Sequence, residues 1–253
     1  MLDTVLTFFD KRAKSVTDLI SSQNANGYRQ LSMSIEQHKI KVWDFPTRLF
    51  HWSMVGLLGG LWWTADIGEM QWHQVLAYVL MILILFRLIW GVIGSETSQF
   101  SQFFVGPKKV INYALTNPKP ASLGHNPLGG YMVFALLGLL VFQLTTGLFA
   151  TDEIFTEGPL IHLVSSDTAS WLTWLHKTNF NVILGLVVLH VAAVILHVVK
   201  GDNILKAMFS GYKYVSGKVT APTLRSPWLA LAVVAVLFAG IWWLLLEPVV
   251  SFL

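Results

Sequence analysis

Five stretches of the chain run almost without charge, at roughly 49–67, 73–94, 127–150, 177–199 and 227–246. No Asp, Glu, Lys or Arg falls between Leu49 and Ala65, and Arg87 alone interrupts the second stretch. The third and fifth carry no charge, and the fourth carries none after Lys177. A membrane-spanning helix takes about 20 mostly apolar residues. The pattern therefore predicts an all-α integral membrane protein with five spans and no internal repeat. Ahead of them, Leu2, Val5, Phe9, Ala13, Val16 and Ile20 recur at helical spacing with charges on the other face. This predicts a cytoplasmic extension over 1–38 that includes an interfacial amphipathic helix. A tail without a function, or translation from Met33, are the alternatives.

Composition agrees with the pattern. Charged residues make up 12% of the chain and hydrophobic ones 54%, whereas a soluble domain carries about a quarter charged residues. The chain has no cysteine. That excludes disulfides, thiolate metal sites and covalent attachment of a c-type haem.

Charge also predicts orientation, because Lys and Arg collect on cytoplasmic flanks. With the N-terminus inside, of the 17 Lys and Arg residues only Lys177 lies on the outer side. That side instead holds Asp66, Glu69, Asp152, Glu153, Glu157, Asp167 and Glu247. The C-terminus is then outside. Trp62, Trp63, Trp72, Trp171, Trp174, Trp242 and Trp243 fall at the outer interface.

The histidines carry the chemistry. His176 and His190 are 14 residues apart in the fourth span, which puts them on one helix face about 21 Å apart in depth. His51 opens the first span at the inner side, and His73 opens the second at the outer side. Topology then pairs His51 with His190 and His73 with His176. Four buried imidazoles are costly to leave unsatisfied in hydrocarbon. Haem iron takes an axial nitrogen from each side, so two pairs at two depths predict two b-type haems stacked across the membrane. A histidine-lined metal or proton transporter is the alternative; it would more often show helices broken in mid-span by Gly or Pro. No catalytic residue is expected.

Haem propionates need cations. Arg48 lies three residues before His51, and Arg87 lies 14 after His73, near the inner end of its span. Both are candidate propionate partners, with snorkelling to the interface as the alternative. His197, seven residues after His190, is a candidate propionate or quinone contact, or an interfacial histidine. His38 and His162 are expected to be solvated loop residues. His125 is expected to be a loop residue on the inner side, a propionate or quinone contact being the lesser possibility.

The first span opens with "RLFHW", the second closes with "RLIWG", and the fourth reads His176, then His190, then His197. Over residues 39–215 this resembles the bacterial di-haem cytochrome b family that includes the nickel–iron hydrogenase cytochrome b subunit. The resemblance implies a four-helix transmembrane haem-binding bundle over 39–215, ligated at His51, His73, His176 and His190. A fifth transmembrane helix would follow over 216–253. It further implies electron exchange between membrane quinone and a redox partner outside the membrane. "GHNPLGGY", "TGLFATDEIFTEGP" and the fifth helix look like a branch found near periplasmic c-type cytochromes. The expected protein is an electron carrier of the bacterial inner membrane. It would sit in lipid, draw on the quinone pool, and serve a periplasmic c-type cytochrome or hydrogenase, with no nucleic acid partner. A self-contained quinone or superoxide oxidoreductase is the rival within the same resemblance.

Overall fold

A computed structural model describes residues 37–116, 122–153, 156–216 and 219–250. The extension expected to hold an amphipathic helix lies outside the described residues, apart from Gln37 and His38. The chain divides into two units. The smaller comprises the residues up to Ile40 together with Tyr214–Ala221; the larger comprises Lys41–Lys213 and Pro222–Leu253. In chain order the elements are β1 (Gln37–Lys41), α1 (Phe45–Asp66), α2 (Met70–Ile93), α3 (Pro107–Leu115), α4 (Pro127–Gly147), α5 (Ser166–Val199), α6 (Ile204–Ser210), β2 (Tyr212–Ser216) and α7 (Pro227–Ile241). A π-helical turn, Trp242–Leu246, continues α7. β1 pairs with β2, so the fold is mostly helical rather than wholly so. The short alternating runs QHKIK and YKYVS are too brief to stand out beside the apolar stretches.

The helices begin where local chemistry makes them begin. Asp44, Asn126 and Ser226 each cap a helix with a side-chain oxygen, and a proline follows in the first turn of α1, α4 and α7. Such caps satisfy backbone N–H groups that have no partner within the helix. Among the described residues, four helical stretches are long and apolar enough to cross a membrane: α2, α4, α5 and Pro227–Leu246. The first expected span, α1, has 22 residues, but Arg48, His51, Thr64 and Asp66 make it less apolar.

α5 starts at Ser166 instead of near 177. Ser165 caps it, and a polar first turn with exposed Trp171 and Trp174 carries it past the apolar run. Hydropathy marks the part of a helix that suits lipid, not the point where helical geometry stops.

Tight packing joins α1 to α2 and α4 to α5, and α2 also packs on α7. The core gathers Phe50, Leu80, Ile84, Trp90, Leu140 and Ile183. Tyr78 and Ile82 of α2 meet Ile241 and Leu246. Two helical hairpins thus stand side by side, and the histidines reach between them.

Candidate functional site: two histidine pairs

The start of α1 is fastened on several sides. Asp44 accepts from Thr47 N at 2.7 Å and from Trp90 Nε1 of α2 at 3.0 Å. Thr97 Oγ1 donates to Val42 O at 2.6 Å. Two turns on, His51 points towards His190 of α5, with ring centroids 6.5 Å apart and planes at 53°. His73 of α2 faces His176 of α5 at 6.4 Å and 77°. The two pairs therefore share α5, and its rise separates them by about 21 Å.

Those spacings can be compared with two uses of an imidazole pair. A direct N···N hydrogen bond of about 3 Å, with about 1.1 Å from nitrogen to ring centre on each side, puts centroids about 5 Å apart. A metal ion bridging the rings, with bonds of about 2 Å, puts them about 6 Å apart. The observed separations fit the second. Among the described residues, no group of three or more His, Cys, Asp or Glu side chains could hold a metal ion. Each pair on its own thus offers two imidazoles and no third side-chain ligand of those kinds among the described residues.

The His73–His176 pair has its outward nitrogens occupied. His73 Nδ1 lies 3.0 Å from Leu61 O and 3.5 Å from Thr64 Oγ1. His176 Nδ1 lies 2.9 Å from Gln143 O and 3.3 Å from Thr146 Oγ1. In both, the preceding helix supplies a carbonyl and a threonine three residues later, so the two hairpins repeat one local device. An Nδ1–H donating to a carbonyl fixes the tautomer and leaves Nε2 free as a metal ligand. Gly147 makes room for this arrangement, because a Cβ there would lie 2.9 Å from His176 Cε1.

The His51–His190 pair lacks that support. His51 Nδ1 is buried without a hydrogen-bond partner, as are Arg48 Nε, Trp52 Nε1, Arg87 Nη1 and His125 Nδ1. Among the described residues, these are the buried side-chain polar atoms left unpartnered. Arg87 is 3% exposed, its guanidinium over the Phe100 ring at 4.7 Å, with Asp44 as the neighbouring carboxylate. Arg48 donates from Nη1 to Phe209 O. His125 is a loop residue, as expected, but its ring packs inward, meeting Trp43 at 4.9 Å and Phe103 at 4.6 Å. Burial, with Arg87, His190 and His51 nearby, pushes its pKa down to about 3, so the ring is neutral.

His197 is held by the chain itself. Its Nδ1 is 3.2 Å from Asp202 Oδ2, and its Nε2 is 3.5 Å from Asn126 Nδ2. Asp202 in turn pairs with Lys213 Nζ at 2.8 Å. His38 and His162 are exposed, His38 on β1 rather than in a loop. Sequence reasoning did not single out Asp44, Thr64 and Thr146, nor foresee the buried, unpartnered nitrogens of Trp52 and His125. The sequence signals for them are polar residues inside or against apolar runs, each of which reads as an ordinary cap, belt or helix residue in isolation.

The chain returns no match among curated proteins or solved structures. The family model described as prokaryotic cytochrome b561 matches residues 42–211, a span that holds both histidine pairs and ends before α7. The chain accordingly belongs to the prokaryotic cytochrome b561 family, haem b-binding membrane cytochromes that carry electrons.

Proposed function

We propose that the protein is a di-haem b-type cytochrome that moves electrons across the bacterial inner membrane between the quinone pool and a periplasmic redox partner, a c-type cytochrome or hydrogenase. The observation that carries this reading is the pair of imidazole separations, 6.5 and 6.4 Å, at two depths along α5. His51 and His190 hold the inner haem, and His73 and His176 the outer one. When bound, haem would supply reversible one-electron chemistry, and these four imidazoles are the side chains that would hold it. The protein's part is to fix two rings per site, orient the His73–His176 pair through Leu61 and Gln143, and exclude water. Arg48 and Arg87 offset the propionate charge of the inner haem.

The same reading makes α1 a fifth span, with the four-helix domain over 39–215 and the last helix over 216–253. The N-terminus is cytoplasmic and the C-terminus periplasmic, as the one-sided distribution of Lys and Arg supports. Asp152, Glu153 and Glu157 then face the periplasm, where they would steer a basic partner. His197 remains a candidate propionate or quinone contact, although its Nδ1 already pairs with Asp202.

A reduced-minus-oxidised spectrum with a pyridine haemochrome assay on the purified protein tests the reading. Two non-covalent b haems per chain are expected. One haem per fully loaded chain would reject the two-pair arrangement, and turnover of quinol with no protein partner would favour a self-contained oxidoreductase.

A further inference from the structure

The two histidine pairs differ in what surrounds them. The His73–His176 pair finds its acceptors in the chain, at Leu61 O and Gln143 O. The His51–His190 end presents buried donors from Arg48, Trp52, Arg87 and His125 that have no acceptor in the chain. Buried donors of this kind are ordinarily satisfied, and two of these belong to guanidinium groups. The missing partner is therefore rich in acceptors and anionic.

His125, like Trp52, has no ligand or propionate role so far. It precedes α4, outside the helices that carry the ligands. Its ring is wedged between Trp43 and Phe103 at 65° and 51°. The next residue, Asn126, caps α4 by accepting from Gly129 N at 2.7 Å. Gly130 lies so close to the same wall that a Cβ there would meet Phe103 O at 2.9 Å. The ring is thus held in place on both sides and by the chain that follows it. Arg87, His51 and His190 are near enough to act on it electrostatically, and its Nδ1 has no hydrogen-bond partner in the chain.

We infer that His125 is a binding residue of the inner site. It is a third imidazole that does not ligate iron but donates from Nδ1 to a carboxylate oxygen of the group held between His51 and His190. This rests on the haem reading of that pair, whose carboxylates are the propionates. The loop before α4 thereby becomes part of the cofactor site. The loss of such a bond to a charged oxygen weakens retention of the group about tenfold or more.

The test uses the full-length protein purified with its haems. His125→Leu removes the donor at similar bulk, and His125→Asn keeps an N–H near the position of Nδ1. The readouts are haem per chain, midpoint of each component in a redox titration, and the rate at which each haem passes to excess apomyoglobin. In His125→Leu the inner haem should leave at least tenfold faster and titrate at a lower potential, since its propionate charge is less offset. In His125→Asn both properties should return most of the way to wild type. The outer component should be unchanged in both, and it serves as the check that the chain is folded. If His125→Leu does not keep the outer haem, His125→Met is read in its place. Wild-type retention and potential in the donor-free variant would overturn the inference, as would His125→Asn behaving like His125→Leu, because the ring would then serve packing alone. Failure of the underlying reading looks different: wild type itself would carry fewer than two haems, or His51→Ala would spare both components.

Discussion

Gly147→Ala offers a sharp test of the outer site, because its effect on the ligand opposes its effect on the helix. A methyl group at 147 would sit 2.9 Å from His176 Cε1 and 3.2 Å from Nδ1. Non-bonded carbons are comfortable at about 3.5–4.0 Å, so the ring or the end of α4 must give by roughly 0.6 Å. His176 Nδ1 lies 2.9 Å from Gln143 O, and a displacement of about that size takes the bond to the edge of hydrogen-bonding range. The loss of one such bond removes about 1 kcal/mol. Disturbing the partner that orients a metal-bound imidazole typically weakens binding by about 10–100-fold. Alanine meanwhile favours helix over glycine by about 1 kcal/mol, so a loss of haem cannot be charged to a weaker α4. The expected result is a variant that folds, keeps the inner haem, and loses or weakly holds the outer one. Haem per chain and a two-component redox titration measure this. Two full haems with an unshifted outer component would refute the reasoning and remove His176 as a rigidly placed ligand.

The other predictions are briefer. His51→Ala or His190→Ala should leave one haem and erase the inner component, while His73→Ala or His176→Ala should erase the outer one. If His51→Ala and His73→Ala removed the same component, the pairing would be wrong. Arg87→Gln should lower the inner potential or loosen the inner haem and leave the outer haem alone; unchanged potentials at full occupancy would reject its propionate role. Thr146→Val keeps the side-chain volume and deletes the hydroxyl 3.3 Å from His176 Nδ1, so it should shift the outer component less than Gly147→Ala does, as the same titration will report.

The helical repeat made the register of the site legible. Fourteen residues close almost four turns, so His176 and His190 had to share a face, and a strict alternation of sides left only one partner at each depth. The structure places those four rings in those two pairs. Apolar runs likewise located the helices, because lipid-facing surface has to be apolar along its whole length. What could not be read were features set by contact across the fold. Asp44 looks like a helix cap, yet it also receives Trp90 Nε1 and acts electrostatically on Arg87. Thr64 and Thr146 look like tolerated polar residues in oily helices until His73 and His176 are found beside them. His125 reads as a loop residue because hydropathy says nothing about which loop folds inward.

The contrast between the two ends follows from where backbone acceptors are available. An α-helix interior uses each carbonyl once, and a second lone pair remains that a neighbouring side chain can reach. His73 and His176 take that second position at Leu61 and Gln143, one hairpin each, so their orientation comes from the chain alone. His51 and Arg48 lie in the first turns of α1, with Trp52 beside them stacked on Phe209 at 4.2 Å, and no carbonyl receives His51 Nδ1 or Arg48 Nε. Donors accumulate there instead, from α1, from α2 and from the loop ahead of α4. Unpartnered guanidinium and ring N–H groups gathered at one end favour an anion there. The geometry of the outer pair is thus encoded in two short segments, whereas that of the inner end depends on groups spread from Asp44 to Phe209 and on what they enclose.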